Sequence, residues 1–184
     1  MIIGLSGKIG SGKSTVSEIF QQNGYYLDSF ANSVKDVSNI IFGFDRNKLD
    51  GLTKEDREWR EKPDEKYSLL LEKSFSPRDS LILIGTNFGR NLIHKDVWIE
   101  TVFNRYNLNQ NKKLLITDVR FPNEYDSIKK RNGVIIRLER NNLNLINHES
   151  ETSLDNHEFD FIIYNNGTID ELKEKIITII KKLN

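Results

Sequence analysis

Short apolar runs alternate along the chain with stretches whose apolar residues recur every three or four positions, an order that predicts βαβ units around a parallel sheet covered on both faces. The first strand is expected from Met1 to Leu5, and a glycine-rich loop, Gly7 to Gly12, follows it. Val16, Ile19 and Phe20 then mark the inner face of a helix that stops at Asn23-Gly24. Tyr25 to Leu27 reads as a second strand, and Phe30, Val34, Val37, Ile40 and Ile41 stripe a helix from Ser29 to Phe42. Gly43 to Lys66 is polar, carries Gly51 and Pro63, and has no sustained period, so an insertion or mobile loop with one short helix around Asp56 to Glu61 is expected there. Leu81 to Ile84 resembles a strand in isolation, but Ser76-Pro77 is a good N-cap and N1 pair, which predicts a helix to about Asn91. Asp96 to Leu108 predicts another helix, and Leu114 to Ile116 a buried third strand leading into Asp118. Pro122 opens a helix to Arg131, Val134 to Leu138 is a fourth strand, and Arg140 to Asn156 is a polar connection. Phe161 to Tyr164 is the last strand, and Ile169, Leu172, Ile176, Ile177 and Ile180 stripe a final amphipathic helix.

Composition narrows the classes. A chain of 184 residues suits one domain with a sizeable core, and 37% hydrophobic with 29% charged residues excludes a disordered segment. Lys plus Arg and Asp plus Glu balance at 27 each, with no basic stripe, which argues against a nucleic-acid or acidic-membrane binder. Any anion must therefore be held at a local site. The absence of cysteine excludes disulfides, thiolate zinc sites and cysteine nucleophiles. His94, His148 and His157 have no partner at metal-ligand spacing, so zinc is not expected. No apolar run approaches a membrane span and Met1 leads into apolar residues without a basic start, so a soluble cytoplasmic protein is expected, in the host cytoplasm if the chain is viral.

Gly7-Lys8-Ile9-Gly10-Ser11-Gly12-Lys13-Ser14 matches the phosphate-binding loop G-x-x-x-x-G-K-[ST] between a predicted strand and a predicted helix, the context the motif requires. Its glycines let backbone N–H groups face one concavity, the helix N-terminus adds partial positive charge, Lys13 supplies an ammonium for β- and γ-phosphates, and Ser14 offers a hydroxyl to Mg²⁺. Gly7, Lys8, Gly10, Ser11, Gly12, Lys13, Ser14 and Thr15 are thus candidates for ATP binding. Asp118, ending a hydrophobic strand, is the candidate second Mg²⁺ residue, and Arg120 lies within reach of the same sheet edge to neutralise a transferring phosphoryl group. For a second anion the chain offers Lys35, Arg78, Arg90, Arg120, Arg137 and Arg140, and no spacing rule tells which converge.

The order of motifs resembles the bacteriophage-type deoxynucleoside monophosphate kinases. The shared pieces are the P-loop; Phe30-Ala31 with Lys35; Gly85-Thr86 through Arg90, then Asp96-Val97-Trp98; Asp118-Val119-Arg120 with Glu124; Arg140; His148 with Glu149 and Glu151; and Asn165-Asn166-Gly167-Thr168. The resemblance implies a three-layer α/β P-loop fold whose five-stranded parallel sheet has the order 2-3-1-4-5. It implies one kinase domain over residues 1–184, with an acceptor-binding helical region at about 29–108 and a lid at about 140–156. Transfer of the ATP γ-phosphoryl to a (deoxy)nucleoside monophosphate is the implied reaction. Lys13, Asp118 and Arg120 would be catalytic, Ser14 and Asp118 would serve Mg²⁺, and Lys35, Arg90, Arg120 and Glu151 would meet the acceptor. Arg140 looks like a lid arginine closing over ATP, and Asn165 resembles the residue opening the loop beside adenine. A homodimer is compatible with this reading.

Other readings compete. Glu149 to Asn156 with Phe159-Asp160-Phe161 also resembles animal-type phosphomevalonate kinase, and Ile3 to Val16 looks equally like dephospho-coenzyme A kinase. A non-kinase P-loop switch is the remaining class. Asn47-Lys48-Leu49-Asp50 does spell a guanine-reading motif, yet it follows a helix inside the polar insertion, whereas that motif belongs at the end of a late sheet strand.

Overall fold

The computed structural model describes residues 1–108, 113–141 and 152–183. In chain order its elements are β1 (Ile2–Gly7), α1 (Lys13–Gln22), β2 (Tyr25–Asp28), α2 (Phe30–Phe42), α3 (Arg46–Asp50), α4 (Lys54–Glu61), α5 (Glu65–Leu70), α6 (Pro77–Ile82), a π-helix (Leu83–Ile93), α7 (Val97–Leu108), β3 (Lys113–Ile116), α8 (Pro122–Lys129), β4 (Val134–Glu139), β5 (Phe161–Tyr164) and α9 (Ile169–Leu183). Two units emerge: an α/β unit of Met1–Ser29 with Val102–Asn184, and a helical unit of Phe30–Thr101.

In the α/β unit the five strands form one sheet in the order β2-β3-β1-β4-β5. All pairings are parallel, with Gly4 opposite both Ile116 and Ile135. The near-continuous apolar runs of β1, β3 and β4 are the composition such a sheet demands, because both of its faces are covered. Ile3, Leu5, Leu115, Ile136, Leu138 and Ile163 pack in one core with Val16 and Phe20 of α1 and Leu172 and Ile176 of α9. This cluster holds the C-terminal strand edge in place, and every loop leaving that edge inherits its position.

In the helical unit the polar stretch after Gly43 departs from the expected loop with one short helix. Three short helices fill it, each started by a side-chain cap. Asp45 accepts from the N–H groups of Asn47 and Lys48, Thr53 from that of Asp56, and Asp64 from that of Tyr67. Helices of five to eight residues are too short to display a period, which is why pattern alone missed α3 and α5. Aromatic packing holds them: Phe42 stacks on Phe44 at 5.6 Å, and Tyr67 meets both edge-on. Leu49 is fully buried beside them with Phe75.

Leu81 to Ile84 is helical, as the capping pair predicts. Ser76 Oγ accepts from the Asp79 N–H at 3.2 Å, while the Asp79 carboxylate accepts from the Ser76 N–H at 2.8 Å. Beyond Ile82 the helix widens into the π form, and Trp98 Nε1 donates to the Gly85 carbonyl at 2.8 Å. A Cβ on Gly89 would stand 2.4 Å from the Trp98 ring, so only glycine admits the indole there.

Candidate functional site

The loop between β1 and α1 is built around Gly12, whose φ of +103° suits glycine and which serves as the N-cap of α1 without a side-chain hydrogen bond. Ser11 is buried, and its Oγ has no hydrogen-bond partner among the described residues. Lys13 Nζ donates to the carbonyls of Gly7, at 2.5 Å, and Lys8, at 3.0 Å, so the ammonium rests on the loop itself. Asn165, just past β5, donates from Nδ2 to the Ser11 carbonyl at 2.8 Å, and Arg140, just past β4, donates from Nη1 to the Gly10 carbonyl at 3.3 Å. Asn166 Oδ1 accepts from the Asn141 N–H, which ties these two flanking turns together. An orphaned buried hydroxyl, an uncapped helix start and a resident ammonium are features that fit a bound phosphate chain.

Ser14 is exposed at the start of α1, and Thr15 follows it. Asp118 is half-buried two residues past the end of β3, the strand beside β1. Its neighbours fix it: the Thr117 N–H donates to the Asp28 carbonyl and the Val119 N–H to the Leu5 carbonyl, at 2.9 and 3.1 Å. The same edge carries Arg120, whose backbone N–H donates to the buried Glu124 carboxylate at 2.8 Å, as does that of Phe121 at 3.1 Å. A hydroxyl and a carboxylate are the hard oxygen donors that Mg²⁺ accepts when phosphates and water supply its other ligands. The donor set therefore fits that ion. Among the described residues no group of three or more His, Cys, Asp or Glu could hold a metal without such help.

The remaining candidates belong to the helical unit. Lys35 donates to Asp50 Oδ1 at 2.8 Å, and Arg46 donates to the same oxygen at 2.8 Å. Burial pushes the Asp50 carboxyl up, but hydrogen bonds and charge from Lys35 and Arg46 outweigh it and leave the group below its ordinary value. Asp50 thus completes an ion-pair cluster inside the unit, and Asn47 to Asp50 belong to α3, so the guanine-reading spelling has no strand end to work from. Arg90 is half-buried in the π-helix. Glu151, with His148 and Glu149, lies outside the described residues.

The structure thus brings Lys13, Arg140 and Asn165 onto one loop, sets Asp118 and Arg120 on the adjoining strand edge, and places Lys35 and Arg90 in the helical unit. Sequence reasoning missed Asp155. That carboxylate bridges Lys8 and the buried Arg137 at 3.2 and 2.8 Å, and no spacing rule connects residues so far apart. It also left Arg137 among the unassigned cations.

A sheet of order 2-3-1-4-5 with a glycine-rich loop and lysine at its first strand end defines the P-loop kinase fold. A family model described as deoxynucleotide monophosphate kinase matches residues 60–176, well over half of the chain, and the chain belongs to that family. It is accordingly an enzyme, a nucleoside monophosphate kinase with ATP as phosphoryl donor. A putative deoxynucleotide monophosphate kinase of Acanthamoeba polyphaga mimivirus is 29% identical over 195 aligned positions, covering 97% of this chain and 95% of the relative. The deoxynucleoside-5'-monophosphate kinase of Escherichia phage T5 is 38% identical over 71 positions, 39% of this chain and 27% of that protein. The crystal structure of TT1252 from Thermus thermophilus shares the fold, with a TM-score of 0.50 at 14% identity over 100% of this chain and 98% of that one. No helix among the described residues is long and apolar enough to cross a membrane.

Proposed function

We propose that the chain transfers the γ-phosphoryl group of ATP to a deoxynucleoside monophosphate, with the donor held by the P-loop and the acceptor phosphate anchored by Lys35 and Arg90. An acceptor phosphate oxygen attacks the γ-phosphorus as the bond from that phosphorus to the β–γ bridging oxygen breaks, giving a nucleoside diphosphate and ADP. Nothing in this step needs a protein nucleophile; it needs alignment and neutralised charge. Lys13 leaves the carbonyls of Gly7 and Lys8 for the β- and γ-phosphates, and Arg120 meets the charge that spreads over the transferring group. Arg140 closes over the donor and Asn165 flanks the base; residues 142–151 of the lid expected at about 140–156 lie outside the described residues. Ser14 and Asp118 would hold Mg²⁺, which supplies neutralisation of phosphate charge when bound.

One observation carries the donor reading: side chains from three separate stretches of the chain, Lys13 at the start of α1, Arg140 past β4 and Asn165 past β5, converge on the P-loop backbone. Exclusion of water would then direct the phosphoryl group to the acceptor. The viral origin of both curated relatives supports the host cytoplasm as the setting.

The test is ATP consumption with Mg²⁺ across the deoxy- and ribonucleoside monophosphates, with phosphomevalonate and dephospho-coenzyme A as controls and products identified by mass. Diphosphate formation from one or more deoxynucleotides is expected. Turnover of a control alone, or hydrolysis independent of any acceptor, would overturn the proposal.

A further inference from the structure

Arg137 lies on β4 opposite Ser6 of β1 and is only 5% exposed, yet the donor reading gives it no task. A guanidinium that deep in a sheet must have its donors met. Nη1 donates to Ser6 Oγ at 3.2 Å, Nε to Glu139 Oε1 at 2.7 Å and Nη2 to Asp155 Oδ1 at 2.8 Å, while the Phe159 ring centre lies 5.4 Å from the guanidinium carbon. The second Asp155 oxygen faces the P-loop, where Oδ2 accepts from Lys8 Nζ at 3.2 Å. The Lys8 carbonyl in turn accepts from the Ser11 N–H at 3.1 Å and from Lys13 Nζ at 3.0 Å. One carboxylate therefore joins a buried cation of the sheet to the residue around which the first turn of the P-loop is hydrogen-bonded.

We propose that Asp155 is a positioning residue for ATP: locked by Arg137, it holds the Lys8 side chain and so fixes the first turn of the P-loop in the form that receives the triphosphate. The physical argument is one of order already present. A partly exposed ion pair is worth little when both partners must be immobilised to make it. Here Arg137 and the sheet have already immobilised the carboxylate, so engaging Lys8 costs only the ordering of one lysine. A preformed loop favours bound ATP in ground state and transition state alike, so losing it raises KM for ATP and leaves kcat nearly unchanged.

The inference rests on the P-loop being the donor site, and the experiment separates the two. Asp155→Asn keeps an oxygen for Arg137 Nη2 and removes the charge facing Lys8. It is compared with wild type, Lys8→Ala and the double variant by KM for ATP, kcat and thermal melting, with Lys13→Ala in the same series. Asp155→Asn is expected to raise KM for ATP about twofold to fivefold, the scale of one partly exposed ion pair, with kcat unchanged within error as for a loss of uniform binding. The substitution adds nothing in the Lys8→Ala background, and Asp155→Glu recovers part of the loss. The same rise in KM with and without Lys8, or no rise at all, would overturn the proposal, because Asp155 would then serve only the burial of Arg137. Should Asp155→Asn not fold, Lys8→Gln carries the test, since it leaves the partners of Arg137 intact and is expected to raise KM for ATP by a similar factor; an unchanged KM overturns the inference. Turnover that survives Lys13→Ala would mean instead that the donor reading itself has failed.

Discussion

In the proposed reaction, a backbone contact would prepare the Arg120 side chain for chemistry. Its N–H and that of Phe121 both donate to the Glu124 carboxylate, which is only 2% exposed, so the turn after β3 is fixed before any nucleotide arrives. A guanidinium on so rigid a base suits the job of meeting charge that develops in the transition state, because little reorganisation is needed when it forms. Arg120→Ala is therefore expected to lower kcat by about two to three orders of magnitude, the scale of losing a preorganised charge-stabilising donor, while KM for ATP changes only a few-fold. Steady-state kinetics with saturating acceptor measures both, and equal losses in the two would mean that Arg120 anchors the ground state. The place of Asp118 and Arg120 at the sheet edge was legible in sequence, because both sit at a short, fixed offset from a strand end. Arg137 and Asp155 were not, since what joins them is a contact across 18 residues and a burial that only the sheet creates.

At the scale of elements, what the chain declares depends on length. The strands and the longer helices carry enough periods to be read: α1, α2 and α7 fall within a residue or two of expectation, and α9 carries the expected stripe. Of the three short helices after Gly43 only α4 was expected, whereas α3 and α5 declare themselves only through their caps, and the cohesion of all three comes from aromatics that a linear pattern treats as scattered: Phe42, Phe44, Trp59, Tyr67 and Phe75. The π-helix is another feature with no periodic signature. Its first turns depend on an indole taking the Gly85 carbonyl and lying against Gly89, and such widened turns are frequent at functional positions. Trp98 is 7% exposed and hydrogen-bonded, so it has no free space into which to retreat from a methyl group. Gly89→Ala is expected to destabilise the protein by about 1–3 kcal/mol, the cost of overpacking a filled interior, seen as a lower melting temperature with altered Trp fluorescence. An unchanged melt would show that the π-helix yields to the added carbon.

Across the whole molecule the sheet order was legible because parallel strands joined by helices allow few arrangements and the P-loop marks the first strand. The distribution of ion pairs was not, and it determines how the two units respond to acid. Each unit holds a carboxyl below its ordinary value. Burial raises Asp50 of the helical unit, but Lys35 and Arg46 more than offset it. Burial likewise raises Asp160 of the α/β unit, but Lys129 at 2.8 Å and the Ile135 N–H at 2.7 Å more than offset it and tie β4 to α8. A group whose folded pKa is depressed binds its proton more readily in the unfolded chain, so its stabilisation is fully present above the unfolded value, about 3.9 for Asp, and is lost as pH falls through the lower folded value. These two groups therefore contribute a flat stability above about pH 5 and a falling one below about pH 4, set by the unfolded Asp value. Asp50→Asn removes one such group. Its melting temperature is expected to lie below that of the wild type at pH 7, and the gap is expected to narrow as pH falls below 4, because the wild-type carboxylate is then being neutralised too. Asp160→Asn is expected to behave in the same way through the other unit. Melting curves from pH 7 to pH 3 for the three proteins decide it: a gap that stays constant across that range would mean that the substitutions act through packing, and that acid stability is set by carboxylates other than these.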